Sequence, residues 1–272
     1  MKKKLITAAV LTVAAITLVV ATVFTTLAFL ADSSAVSNTF TVGNVGIDMK
    51  ETKVDENGVA VDGNIKVDSN SYHLKPNCTY VKDPTIKVET TTASDTMFLF
   101  VKSNNMIRNV EAGNIKDKDG NPIPTTHKTM RQQMEANGWV EFIQSGDGVE
   151  IIWVYGTRDD NGVITPAVVD CNTEQIRGDG STGPAGEIRL CEEFTIGNVD
   201  GTALALYGGT TVTFTGFAIQ TSTVPDNSNN ELAKQAWSNI KDTFPVNCSI
   251  TDPKNPYKDG VDAYAPVPKT QP

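Results

Sequence analysis

The chain alternates between short apolar runs, rich in β-branched and aromatic residues, and clusters of turn residues. Runs of this kind predict β-strands. Nine strands are expected, at residues 39–49, 58–67, 79–89, 97–102, 139–144, 149–155, 163–169, 188–196 and 210–220. The sequences Asn57-Gly58 and Asp160-Asn161-Gly162 are typical of hairpin turns, so antiparallel pairing is favoured.

Two segments have helical periodicity instead. One covers roughly residues 126–137 and is stopped by Gly138, and the other covers roughly residues 230–243. In the second, Leu232, Ala236, Trp237 and Ile240 share one face, which predicts that Trp237 packs against a sheet. The pattern predicts an all-β fold, a jelly-roll-like double-sheet sandwich with two short inserted helices, in one domain over residues 29–248.

The first 31 residues have a different pattern, with three lysines at positions 2–4 followed by an uncharged stretch from Leu5 to Ala31. A basic cluster before an apolar run is typical of a segment that directs export. The run is long enough to span a bilayer and so to remain as an anchor. Its many threonines and the Thr26-Leu27-Ala28 sequence favour cleavage after Ala28, which predicts a signal peptide over residues 1–28.

Residues 249–272 form a polar segment crowded with prolines, which predicts a flexible tail. It contains no wall-sorting sequence and no second hydrophobic span. The leader is therefore the only candidate anchor, and contact with a membrane is expected only if the leader is not cleaved.

The formal net charge is −9, and removing a leader with three lysines leaves 20 basic and 32 acidic residues, a net charge of −12. Binding of nucleic acid requires a basic face, so nucleic acid is not an expected partner. An acidic balance is typical of a soluble extracellular protein.

Four cysteines are present, and in an exported chain disulfides are the default expectation. Three pairings are open in principle; the expected one joins Cys171 to Cys191 and Cys78 to Cys248. The first bond would close a Gly-rich loop, which in the chain-entropy model is worth about 3 kcal/mol. Four reduced thiols are the alternative.

Few residues suggest catalysis. His73 and His127 are the two histidines, they are far apart, and neither belongs to a zinc-ligand spacing. The chain has no GxSxG elbow, no P-loop and no GxGxxG. The sequence thus predicts no catalytic residue, no metal and no cofactor, and a protein that is not an enzyme.

The tripeptide Arg177-Gly178-Asp179 lies in the Gly-rich loop between Cys171 and Cys191. Integrin-type receptors read an exposed tripeptide of this kind. A three-residue match has poor specificity, so a surface loop is the favoured interpretation and a receptor-binding loop the alternative.

Several segments together resemble the camelysin and TasA-like family of exported proteins. They are the Thr- and Ala-rich leader, the Phe29-Leu30-Ala31-Asp32 sequence after it, and the residues at 37–45, 81–88, 211–220 and 233–237. The resemblance implies a SipW-type signal peptide, a jelly roll and a subunit of extracellular biofilm fibres assembled by donor-strand exchange. Camelysin is classed as a metalloprotease, but this chain lacks a recognisable zinc site.

Strand chemistry agrees with assembly into fibres. Cleavage would free an apolar segment at residues 29–38 that its own domain need not use, and such a segment can add to the sheet edge of a neighbour. Phe29, Leu30, Ala31 and Val36 are the expected inserting residues. We therefore expect a secreted fibre subunit in the extracellular matrix or on the surface of a Gram-positive bacterium. Its expected partners are copies of itself and other matrix or surface components. The alternatives are a secreted metalloprotease and a membrane-tethered adhesin.

Overall fold

The computed structural model describes residues 31–35, 45–63, 65–90, 95–117, 119–144, 150–207, 211–224 and 232–240. The predicted signal peptide and Pro-rich tail lie outside these ranges. The chain folds as an all-β sandwich, so the predicted fold class is confirmed.

The larger sheet contains six antiparallel strands. In spatial order they are β1 (Ala31–Ala35), β12 (Val212–Gln220), β6 (Met97–Asn105), β8 (Glu150–Arg158) and β7 (Trp139–Gln144), with β9 (Ile164–Pro166) paired to β8. The strands β6, β8 and β12 have continuous apolar runs because both of their faces are buried. Among the described strands, β1 lies at the edge of the sheet.

The smaller sheets complete the sandwich. A four-stranded sheet has the order β10 (Glu187–Arg189), β5 (Thr85–Thr90), β2 (Val45–Thr52) and β3 (Lys66–Val67). A two-stranded sheet pairs β11 (Glu193–Thr195) with β4 (Thr79–Val81).

Two hydrophobic cores lie on opposite faces of the six-stranded sheet. In the main core, alternate residues of β6 and β12 pack against β2 and β5. Gly216 of β12 faces this core, and a Cβ at that position would lie only 2.9 Å from Met49 Cε. The second core lies under helix α3 (Leu232–Ile240), where the fully buried Trp237 contacts Phe100, Phe142 and Phe217. The predicted packing of Trp237 against a sheet is confirmed.

Helix α1 (Met130–Ala136) is shorter than the predicted helix at 126–137 because Thr129 caps its N-terminus. Thr129 Oγ1 accepts a hydrogen bond from the Gln132 amide, and the Gln132 side chain accepts one from the Thr129 amide. Gly138, with φ +85°, follows the helix at the predicted stop. A five-residue helix, α2 (Gly201–Ala205), was not predicted.

Two predicted strands are each divided by a bend. Residues 79–89 become β4 and β5, and residues 188–196 become β10 and β11, which belong to different sheets. Pro84 has no amide hydrogen to donate and lies at the first bend. Backbone hydrogen bonds from Lys82 to Glu192 and from Leu190 to Pro84, 2.9 Å each, connect the two bends. The two paired segments therefore stay side by side along their length but pass from the two-stranded sheet into the four-stranded sheet.

The prediction of a strand at 58–67 is mostly wrong. Only β3 and a single bridge between Val54 and Ala60 form there, and Val59 is 60% exposed. The alternating apolar residues of this segment do not line a core, so the period-2 pattern here does not mark a strand with one buried face.

Candidate functional site

A cavity of about 810 Å³ opens at one end of the sandwich. It lies between β2, the segment at 68–76, the start of β12 and helix α2. Its walls are largely apolar and aromatic, formed by Met49, Tyr72, Phe194, Leu204, Tyr207 and Phe214. The size and character of the walls are those of small-molecule sites.

A polar cluster of Glu51, Asn70 and Lys82 lines this cavity, and Glu51 and Lys82 in it are buried. The Lys82 Nζ donates to Glu51 Oε2 at 2.6 Å, and the two side chains are only 9% and 4% exposed. The Asn70 Nδ2 donates to the other oxygen, Glu51 Oε1, at 2.9 Å. One carboxylate therefore binds an amine and an amide at the same time.

The Asn70 side chain is fixed by two further bonds. Its Oδ1 accepts from the Val54 amide at 2.9 Å, and its Nδ2 also donates to the Thr52 carbonyl oxygen at 2.8 Å. Both oxygen and nitrogen of this amide are thus used, which fixes its orientation.

Aromatic rings enclose the Lys82 ammonium, which lies 5.9 Å from the ring centre of Tyr72 and 5.8 Å from that of Phe214. The Tyr72 hydroxyl donates to the Val81 carbonyl oxygen at 3.0 Å, and burial raises the pKa of Tyr72 well above its usual value. A charged pair in such surroundings loses much of its hydration, so its interaction must offset a large desolvation cost.

Sequence reasoning missed this cluster, although a signal existed. In β2 the inward positions are Val45, Ile47, Met49 and then Glu51, so an acidic residue continues an apolar face. Lys82 follows the buried Tyr80 at the same spacing of two. A charged residue in register with a core face predicts a buried charge that needs a partner.

The predicted donor strand is found in its own domain. Strand β1 pairs antiparallel with β12, with Ala31 opposite Ile219 and Ala35 opposite Thr215. In the single chain this segment is therefore paired rather than unused. Phe29, Leu30 and Val36 lie outside the described residues.

The disulfide predicted between Cys171 and Cys191 is not formed. Both residues are free thiols, and the fully buried Cys191 Sγ donates instead to the Lys82 carbonyl oxygen at 3.3 Å. Burial raises the pKa of Cys191 far above its usual range. Cys78 is also a free thiol, and its predicted partner Cys248 lies outside the described residues.

The Arg177-Gly178-Asp179 tripeptide lies in a tight turn docked on the end of helix α1. The Gly178 amide donates to Asn137 Oδ1 at 2.9 Å, and a Cβ on Gly178 would lie 2.5 Å from that of Ala136. The guanidinium group of Arg177 lies against Gly183, while Asp179 is exposed. The loop is on the surface, as predicted, but its arginine is folded back.

The two histidines are not brought together. His73 lies at the cavity, and His127 Nδ1 lies 3.2 Å from Thr195 Oγ1. Across the described ranges, no group of three or more His, Cys, Asp or Glu side chains could hold a metal ion. Within the same ranges no helix has the length and apolar character needed to cross a bilayer.

Comparison of the chain with protein families, with curated proteins and with solved structures finds no match.

Proposed function

We propose that this chain is a secreted structural protein whose copies assemble into extracellular fibres by exchange of strand β1. The observation that carries the proposal is the position of β1, a five-residue strand at the edge of the larger sheet with β12 as its neighbour. The resemblance to fibre-forming exported proteins supports the same function.

Removal of β1 would expose the backbone amide and carbonyl groups of β12, a nine-residue strand. An open edge of this kind accepts an extended segment from another chain, with backbone hydrogen bonds providing affinity. Because β1 of a second copy has the same sequence, it would make the same pairs, such as Ser33 opposite Phe217. Exchange therefore costs little in pairing energy.

The length of the connection between β1 and β2 is compatible with exchange. Residues 36–44 separate the two strands, and a segment of that length spans about 30 Å when fully extended. A head-to-tail contact of this type does not close on itself, so repeated exchange produces a filament.

The first experiment compares mature protein beginning at Phe29 with a form beginning at Thr39, by electron microscopy and sedimentation. We expect filaments from the longer form and monomers from the shorter one. Filaments from the shorter form would refute the proposal.

A peptide experiment tests the acceptor edge separately. A peptide of residues 29–38 should bind the shorter form, whose β12 edge is open. N-methylation provides a matched pair, since the amides of successive residues point to opposite sides of a strand. Methylation at Ser33 and Ala35 removes one set of amides and methylation at Asp32 and Ser34 the other, so one peptide should lose binding and the other keep it. Equal binding by both peptides would contradict pairing with β12.

A second candidate function, binding of an apolar ligand, is supported by the size and aromatic walls of the cavity. The dye anilinonaphthalene sulfonate should fluoresce on binding to the wild-type protein and less with Ala205→Trp, which narrows the cavity. Equal fluorescence in both proteins would argue against a ligand site here.

A further inference from the structure

We propose that Lys82 and Asn70 form an intramolecular isopeptide bond, with Glu51 transferring the protons. The bond would join Lys82 Nζ to Asn70 Cγ and release ammonia. The proposal depends on the cluster at the cavity and does not depend on fibre formation.

Lys82 and Asn70 are both hydrogen-bonded to Glu51. Lys82 Nζ and Asn70 Nδ2 bind the two oxygens of one carboxylate, at 2.6 Å and 2.9 Å. The nucleophile and the leaving group are thus positioned side by side, and holding two reactants in this way is a large part of catalysis. Both side chains also line the cavity, which leaves room for Nζ to move onto Asn70 Cγ.

The backbone amide of Val54 activates the Asn70 side chain for attack. The Val54 amide donates to Asn70 Oδ1 at 2.9 Å, where negative charge develops when an amine attacks the carbonyl carbon. A fixed backbone donor at that oxygen stabilises the tetrahedral intermediate, as in an oxyanion hole.

The reaction is balanced without any other reactant. Glu51 Oε2 accepts a proton from the Lys82 ammonium, and the neutral amine attacks Asn70 Cγ. The proton returns from Glu51 to Nδ2, the Cγ–Nδ2 bond breaks and ammonia leaves. Glu51 also carries the second proton from Nζ to the departing ammonia, which leaves as ammonium, so an amide between Nζ and Cγ remains and Glu51 is again a carboxylate.

The surroundings favour the reaction at this lysine and not at its neighbour. Lys82 is buried beside Tyr72 and Phe214, where fixed groups replace water around the reacting atoms. Lys66 lies nearby, but its side chain is 40% exposed and pairs with Asp83 at 3.3 Å. Among the described residues, no hydrogen bond joins Lys66 to an asparagine side chain, so Lys66 provides a matched control.

The test is the intact mass of purified, denatured wild-type protein, followed by digestion after Tyr72 and Tyr80, which separates Asn70 from Lys82. We expect a mass lower by one ammonia and a branched peptide containing both residues. The variants Glu51→Gln and Lys82→Arg should have the full mass and separate peptides, and Lys66→Arg should behave as the wild type.

Each other outcome overturns the proposal. A wild-type protein of full mass with two separate peptides means an ordinary ion pair. Loss of ammonia without a branched peptide means a succinimide at Asn70. Loss of water with Lys82 joined to Glu51 means that the carboxylate is a reactant and not the proton carrier. Because the intact mass and the peptides of the wild-type protein together decide between these outcomes, misfolding of a variant leaves the test intact.

Discussion

Glu111 is expected to make the stability of this domain depend on pH. Its carboxyl group is 1% exposed and lies at the start of helix α1, where Oε1 accepts from the Met130 amide and Oε2 from Asn105 Nδ2, 2.8 Å each. Burial raises the pKa of Glu111 to about 7, against 4.5 for a free side chain, although the two hydrogen bonds act in the opposite direction.

The direction and size of this pH dependence follow from the difference in the pKa of Glu111 between the folded and unfolded states. The folded state holds the proton more tightly than the unfolded state, so the stabilisation is complete below pH 4.5 and is lost as the pH rises through about 7. At 1.36 kcal/mol for each pKa unit, the loss above pH 7 is about 3 kcal/mol. Glu111→Gln removes the charge, and Asn105 can turn its Oδ1, which has no hydrogen-bond partner, toward the new amide.

The assay is urea unfolding of wild-type and Glu111→Gln protein at several pH values between 4 and 8.5, with Glu135→Gln on the exposed face of the same helix as control. The Glu111→Gln variant should match the wild type at low pH and be more stable by about 3 kcal/mol at pH 8. The control should keep the wild-type slope. If Glu111→Gln also keeps that slope, the buried carboxyl group does not titrate as argued.

Three further predictions concern packing and thiols. In urea unfolding, Gly58→Ala should destabilise the protein by about 2 kcal/mol more than Gly120→Ala. Both glycines have positive φ, but only at Gly58 would an added Cβ clash, since it would lie 2.3 Å from Tyr80 Cδ1. Equal losses of stability in the two variants would contradict this. Trp237→Ala should cost about 4 kcal/mol in the same assay, and a loss below about 1 kcal/mol would show that α3 does not cover the sheet. In denaturant without reductant, Cys171 and Cys191 should both be alkylated, and a recovered Cys171–Cys191 peptide would refute the free thiols.

The strands that the sequence predicts best are those with two buried faces. Strand β12 lies within the prediction at 210–220, and β6 extends the prediction at 97–102 to Asn105. Continuous apolar runs are unambiguous when a sheet is covered on both sides. At 58–67 the alternating apolar residues do not pack against a core, and the local sequence pattern alone does not reveal this.

The candidate site could be predicted only in part. The resemblance and strand chemistry predict that residues 29–38 act as an extended donor segment, but they do not predict its pairing in the same domain with β12, almost 200 residues away in sequence. The cluster of Glu51, Asn70 and Lys82 depends on a bend between β4 and β5 that places Lys82 against β2. Sequence spacing indicates that Glu51 and Lys82 point inward, but the contact between them depends on the tertiary fold and cannot be read from the spacing.

Exchange of β1 is tested most directly by mixing two variants with one added cysteine each, Ala35→Cys and Thr215→Cys, which stand opposite each other across the β1–β12 pair. Thr213→Cys, two residues out of register, is the control. After assembly and oxidation, we predict a peptide that links residue 35 of one chain to residue 215 of another, and none with residue 213. If residues 35 and 215 are linked only when both cysteines are on one chain, β1 stays in its own domain and the fibre proposal is wrong.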